Sequence, residues 1–190
     1  TLSDHPALVR TSALWEAADG AVWLGTYAGP AMWRDGKLSW PAKEAGVEVL
    51  NVRSIGEDSE GGIWLGTIGG GLARYHDGAF KIWRERDGLG SDSIWSIHVE
   101  SDDTVWAGSY GKGLSRLQNG RVATVSKTNG LPSDVIYSIL SDATGALWMS
   151  SDVGIFKVDA AQLHACANGE IAKISCLVLD RGDGLTTTDM

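Results

Sequence analysis

The run Glu57-Asp58-Ser59-Glu60-Gly61-Gly62-Ile63-Trp64-Leu65-Gly66-Thr67, followed by Gly70-Gly71-Leu72-Ala73-Arg74-Tyr75, decides the fold. It reads as a strand end, a tight turn, a short strand carrying Trp64, a second turn and another short strand. The same string returns at Ala18-Asp19-Gly20-Ala21-Val22-Trp23-Leu24-Gly25-Thr26 and at Asp102-Asp103-Thr104-Val105-Trp106-Ala107-Gly108-Ser109. It returns once more at Asp142-Ala143-Thr144-Gly145-Ala146-Leu147-Trp148-Met149-Ser150. Trp23, Trp64, Trp106 and Trp148 are spaced 41, 42 and 42 residues apart. A fixed period of about 40–45 residues marks stacked four-stranded units, none of which buries its apolar faces alone.

Alignment on the tryptophans extends the repeat outward. Nine residues before them stand Leu14, Ile55, Ile97 and Ile139, and twelve before stand Thr11, Val52, Ile94 and Ile136. Ten before are the small residues Ala13, Ser54, Ser96 and Ser138. Apolar or small side chains on both faces predict a strand covered on both sides, innermost beside a central axis. After the Trp strand, a third strand is expected at Ala31 to Arg34, Leu72 to Tyr75, Leu114 to Leu117 and Ile155 to Val158. Asp35-Gly36, Asp77-Gly78 and Asn119-Gly120 then supply hairpin pairs, because both central residues of such turns need φ > 0. A fourth strand follows at Lys37 to Trp40, Ala79 to Arg84 and Arg121 to Lys127. Four antiparallel strands per unit, each unit packing on the next, predict an all-β chain of β-propeller blades. The blades are expected at about 7–45, 46–87, 88–129 and 130–183, with a fifth unit opening at 184–190.

The fourth unit departs from the pattern. Asn168-Gly169 reads as its hairpin pair, displaced by an insert from Asp159 to Ala165 that opens with a helix-capping aspartate. One or two helical turns are expected there. Four open blades leave two apolar end faces uncovered. The chain is therefore expected to be a piece of a larger ring, or to have its ends covered by another copy. A four-bladed ring is the alternative.

The composite pattern resembles the two-component regulator propeller repeat. Gly130-Leu131-Pro132-Ser133, Ile139, Asp142, Gly145, Trp148 and Gly154-Ile155 carry the resemblance best. Ile55, Asp58, Gly61, Trp64, Gly66-Thr67 and Gly71-Leu72 carry it nearly as well. Glu100 and Asp103 stand where Asp and Gly are expected, and the first unit has Ala17 for the Asp and Pro30-Ala31-Met32-Trp33 for the Gly-Leu. The resemblance implies a periplasmic or extracellular sensor region of a histidine kinase or diguanylate cyclase signalling protein. It transfers no ligand-binding motif residue by residue.

Composition narrows the partners. The chain of 190 residues has 25 Gly and nine Trp but only two Phe, which suits short strands joined by glycine turns. Its net charge of −8 and lack of a basic stripe argue against nucleic acid. No apolar run approaches the roughly 18–20 residues that span a bilayer, so this segment is not expected to insert in a membrane. Thr1 to Pro6 carry no signal-peptide pattern. No cofactor is expected, and His5, His76, His98 and His164 fall at unrelated repeat positions without a second metal ligand at suitable spacing. Cys166 and Cys176 flank the Asn168-Gly169 region, and a disulfide between them requires suitable geometry.

Blade geometry places the candidate site. The loops after the Trp strand and the connections between units open on one end, which displays Tyr27, Ile68, Tyr110, Lys112 and Asp152 with Asp92 and Asp134. Eleven residues before the tryptophans stand Ser12, Arg53, Trp95 and Tyr137, where a strong repeat relaxes and admits large amphipathic side chains. The ligand-binding candidates are thus Tyr27, Arg53, Asp92, Trp95, Tyr110, Lys112, Asp134, Tyr137 and Asp152, for a small molecule or glycan. The plainer alternative is that they pack between blades or cap the axis. Trp23, Trp64, Trp106 and Trp148 read as inter-blade core, costing about 3–5 kcal/mol each on truncation. Trp15, Trp33, Trp40, Trp83 and Trp95 lie off that position and are candidates for exposed contacts. A non-catalytic sensory module is the leading reading. A lyase or glycoside hydrolase on the same fold would need a His–acid or carboxylate pair at the mouth. A structural domain that self-associates through its end blades is the third.

Overall fold

The computed structural model describes residues 10–179 and Asp183. Its strands form four separate four-stranded antiparallel sheets, each in simple sequence order. Blade 1 holds β1 (Thr11–Glu16), β2 (Val22–Thr26), β3 (Gly29–Arg34) and β4 (Lys37–Ser39). Blade 2 holds β5 (Val52–Glu57), β6 (Ile63–Thr67), β7 (Gly71–His76) and β8 (Ala79–Trp83). Blade 3 holds β9 (Ile94–Val99), β10 (Val105–Ser109), β11 (Leu114–Gln118) and β12 (Arg121–Val125). Blade 4 holds β13 (Ser138–Ser141), β14 (Ala146–Ser151), β15 (Gly154–Asp159) and β16 (Leu177–Leu179). The first strands of successive blades pack side by side, β1 on β5, β5 on β9 and β9 on β13, which makes them the inner wall of a propeller. The expected fifth unit, 184–190, and residues 7–9 lie outside the described residues.

The repeated residues each have a mechanical task. Trp23, Trp64 and Trp106 are buried in three successive inter-blade cores. Trp64, for instance, packs among Leu89, Ile94, Val105 and Leu117 of the next blade. Glycine two residues after the tryptophan of blades 1, 2 and 3 lets the next blade approach closely. A Cβ on Gly66 would stand 2.8 Å from Ile94 Cγ2, and one on Gly108 would stand 2.6 Å from Ile136 Cγ2. Blade 4 has Ser150 at that place. The hydroxyl that follows closes the next loop: Thr26 donates to the Gly29 carbonyl at 2.7 Å, Thr67 to Gly71 at 2.8 Å, Ser109 to Gly113 at 2.9 Å and Ser151 to Gly154 at 2.8 Å.

Several expectations are corrected. Trp148 is only half-buried, because the face that its neighbours use to cover the next blade meets none among the described residues. Leu14, on the opposite outer face, is 68% exposed although its counterpart Ile55 is core. Trp83 is buried rather than exposed: its ring stacks on Trp64 with centroids 5.2 Å apart. Asn168-Gly169 does not form a hairpin. Helix α2 (Ala160–Ala167), capped by the Asp159 carboxylate on the Ala161 N–H, ends at Asn168, and strand β16 begins nine residues later at Leu177. Leu163 and Cys166 of α2 are buried in the core between blades 3 and 4, so the helix is a lid on that seam. Both thiols are free. Burial pushes each thiol upward, Cys176 to about 11. The fourth strands of blades 2 and 3 are shorter than expected, because 3₁₀ turns at Glu85–Asp87 and Lys127–Asn129 begin the crossing to the next blade. A four-residue helix, α1 (Pro41–Glu44), serves the same crossing in blade 1.

Candidate functional site

The site is built on an irregularity in the inner strands. In β1 the register jumps from Thr11 to Ala13, in β5 from Val52 to Ser54, and in β9 from Ile94 to Ser96. Ser12, Arg53 and Trp95 are therefore the extra residues of β-bulges. A bulged residue leaves the alternation that commits its neighbours to the inter-blade core, and its side chain is re-aimed. This explains why that repeat position admits Ser, Arg and Trp in blades 1 to 3 while the residues flanking it stay apolar or small; in blade 4 the same position is Tyr137, just before β13.

Two of the re-aimed side chains meet, Arg53 and Trp95, and they are joined by Tyr110 and by Tyr137, the blade 4 residue at the same repeat position. The Arg53 guanidinium lies over the Trp95 ring at 5.0 Å from its centroid. Trp95 stacks on Tyr110 at 5.2 Å with an interplanar angle of 24°, and meets Tyr137 at 5.5 Å in a tilted arrangement. Tyr110 comes from the loop after β10 and remains 56% exposed, so the stack has an open face. Backbone bonds hold that loop in place. The Tyr110 N–H donates to the Ser93 carbonyl at 3.2 Å, and the N–H groups of Gly111 and Gly113 both donate to the Asp134 carbonyl, at 2.9 and 2.8 Å. In blade 1 the small Ser12 instead donates to the Val52 carbonyl at 2.6 Å. Arg53 has no carboxylate partner among the described residues, so its charge is available to a ligand.

The remaining candidates divide. Asp92 and Asp134 sit at this end, but each caps a 3₁₀ turn: Asp92 Oδ1 accepts from the Glu85 N–H at 2.8 Å and Asp134 Oδ1 from the Lys127 N–H at 2.7 Å. The Asp152 carboxylate accepts from the Ser133 hydroxyl. Lys112 is exposed on the rim. Tyr27 stands apart from the stack under Arg10, whose guanidinium is 5.8 Å from its ring centroid. The aromatic and cationic candidates converge, whereas the carboxylates serve the loops.

The opposite end carries a feature the sequence reading missed. A cleft of about 470 Å³ separates blades 2 and 3, lined among others by Asp58, Glu60, Arg74, Phe80, Lys81 and Asp103. Its charged groups are largely spoken for. Arg74 bridges Asp58 and Glu60, and Asp103 accepts from the Ser59 N–H at 2.7 Å and the Ser59 hydroxyl at 2.6 Å. The available signal was Asp103 itself, a residue with φ +64° where the other units place glycine. A cleft whose charges neutralise one another offers a ligand less than an open aromatic stack with an unpaired guanidinium. We therefore place the candidate site at the mouth.

His98, in β9, is half-buried away from that stack; burial lowers its pKa, and Glu100 opposes the shift. Among the described residues no group of three or more His, Cys, Asp or Glu side chains is arranged to hold a metal ion. No helix among them is long and apolar enough to cross a membrane.

Comparison with known proteins agrees with the repeat. Residues 46–69 and 130–152 match the family described as Two component regulator propeller. No curated protein matches the chain. The extracellular domain of a putative hybrid two component system from B. thetaiotaomicron superposes with a TM-score of 0.74 at 25% identity, covering 90% of this chain and 23% of that one. The extracellular domain of a putative one component system from the same organism gives 0.73 at 19% identity, covering 94% and 26%. The chain thus spans about a quarter of the length of each. A catalytically inactive virginiamycin B lyase from Staphylococcus aureus shares the fold at a TM-score of 0.66 and 14% identity, covering 94% of this chain and 58% of that one.

Proposed function

We propose that this chain, which carries two-component regulator propeller repeats, is a ligand-binding part of the extracytoplasmic sensor region of a signalling protein. Its ligand seat is the stack of Trp95, Tyr110 and Tyr137 beneath Arg53, with Lys112 on the rim. The observation that carries the reading is that bulges at one repeat position turn Arg53 and Trp95 out of the core and into a shared open surface. Flat aromatic faces bind planar or ring-shaped apolar surface, and a guanidinium without a carboxylate partner binds a carboxylate or sulfate. The ligand expected is therefore a small molecule or glycan fragment with an anionic group beside a ring. Signal transmission to a histidine kinase or diguanylate cyclase output, and a periplasmic or extracellular location, belong to the same proposal. They are supported by the two repeats and by the extracellular domains that share the fold. The uncovered faces of blades 1 and 4 are taken as surfaces for further blades or for another copy.

The test is titration of the chain with uronate oligosaccharides and aromatic carboxylates, read by calorimetry and indole fluorescence. Binding that falls at least tenfold in Trp95→Ala and in Arg53→Gln, with unchanged circular dichroism, supports the seat. Binding that ignores both substitutions overturns it. The lyase likeness, at 14% identity, is one of fold alone.

A further inference from the structure

Blades 2 and 4 each hold one carboxylate oxygen between an indole and a cation. Asp58 Oδ2 accepts from Trp64 Nε1 at 2.7 Å and from Arg74 Nε at 2.6 Å. Asp142 Oδ2 accepts from Trp148 Nε1 at 2.7 Å and lies 2.8 Å from Lys157 Nζ. In blade 3 the cross-strand pair at the same register is Trp106 and Arg116, just as Trp64 pairs with Arg74. The aspartate's position, however, is taken by Glu100. Its longer side chain turns away to His164 of α2, with Oε2 2.8 Å from Nε2. The Arg116 guanidinium follows the same helix. It donates through one nitrogen to His164 Nδ1 at 3.3 Å and to the His164 carbonyl at 3.2 Å, and through the other to Asn168 Oδ1 at 2.7 Å.

That exchange leaves two buried donors with no acceptor, Trp106 Nε1 and Arg116 Nε. Trp106 is fully buried and Arg116 is 7% exposed. An unmet buried N–H is costly, and each one in a native fold calls for an explanation such as an ion or water. The charge adds to the demand. Among the described residues no carboxylate lies within ion-pair distance of Arg116. Glu100 reaches it only through the His164 ring, and Asp102 is engaged by the Thr104 N–H and the Gln118 amide.

We propose that the place facing Trp106 Nε1 and Arg116 Nε is a binding site for a monovalent anion of chloride size, standing in for the carboxylate oxygen of blades 2 and 4. A water would meet the two N–H groups but not the buried positive charge, whereas a small anion meets both. Packing of Trp106 against His164, with ring centroids 5.2 Å apart, favours a single-atom ion over a bulky oxyanion. Because α2 supplies the other ligands of Arg116, the bound ion would also fasten the helical lid across the seam between blades 3 and 4.

The test uses the full chain in sodium chloride and in sodium gluconate at equal ionic strength, together with crystals grown in bromide. The expected result is a Tm that climbs by roughly 3–5 °C per tenfold chloride above its dissociation constant, against a flat gluconate series. A bromide anomalous peak within hydrogen-bonding reach of both nitrogens is expected with it. Glu100→Asp restores the acceptor used at positions 58 and 142, and is expected to fold and to lose the chloride response. Chloride and gluconate curves that coincide, with no bromide peak at the two donors, would mean that water fills the place and would overturn the proposal. So would a chloride response that persists unchanged in Glu100→Asp.

Discussion

Asp58 shows how one side chain organises a turn. Its Oδ1 accepts from the Gly62 N–H at 2.8 Å, while Oδ2 joins Trp64 and Arg74. Burial pushes this carboxyl up, but the hydrogen bonds from Arg74, Gly62 and Trp64 outweigh it and hold it below the usual range. Asp142 is held low in the same sense, first by Lys157, then by Thr144 and Trp148. A depressed folded pKa contributes stability that is fully present above the unfolded value, about 3.9, and is lost as pH falls through the folded one. Urea unfolding is therefore expected to show stability declining below about pH 4. Asp58→Asn should start about 1–3 kcal/mol lower at pH 7 and decline less steeply on acidification. Parallel pH profiles for the two proteins would remove Asp58 from that account. The replacement of this aspartate by Glu100 was visible in the sequence. Its consequence was not, because His164 lies 64 residues further on and only folding brings α2 beside it.

At the scale of the element, the repeat was legible because packing writes it. The Trp strand and the glycine after it recur since each answers the same neighbour in the next sheet, and the hydroxyl after that recurs since it closes the same loop within its own blade. Gly66→Ala is the sharp test: its Cβ would stand 2.4 Å from Ser54 Oγ and 2.8 Å from Ile94 Cγ2. Overpacking of this kind costs about 1–3 kcal/mol, read as a lower denaturation midpoint with an unchanged slope. A substitution that is silent would mean that the blades are free to move apart. Other elements left a weaker trace. The bulges at Ser12, Arg53 and Trp95 add no residue to the spacing between tryptophans, so the sequence showed a variable position but not why it varies. Asn168-Gly169 misled because a turn-forming pair ends a helix as readily as it closes a hairpin. The Asp92 and Asp134 carboxylates share an end with the aromatic stack, yet the 3₁₀ turns that claim them depend on the path between blades, which local pattern does not encode.

At the scale of the whole molecule, the described sheets end in two apolar faces of different make. On blade 4, Leu140 is 67% exposed and Leu177 58%, and both share the outer face with Trp148 through the register of β13, β14, β15 and β16. An exposed patch of this kind is a contact surface or an aggregation hazard. Light scattering is expected to show mass rising with concentration for the chain, and Leu140→Glu is expected to suppress the rise. A strict monomer at high concentration in both would set this face aside as a contact between copies. Ser150 adds a directional constraint. Three sheets keep bare backbone toward their successor, and the fourth offers a hydroxymethyl group instead. A fifth unit copied from residues 88–129 would bring an isoleucine toward that group, the crowding that glycine avoids at Gly66 and Gly108. Whatever adjoins this edge is thus expected to differ from those two joints by carrying a side chain smaller than isoleucine there.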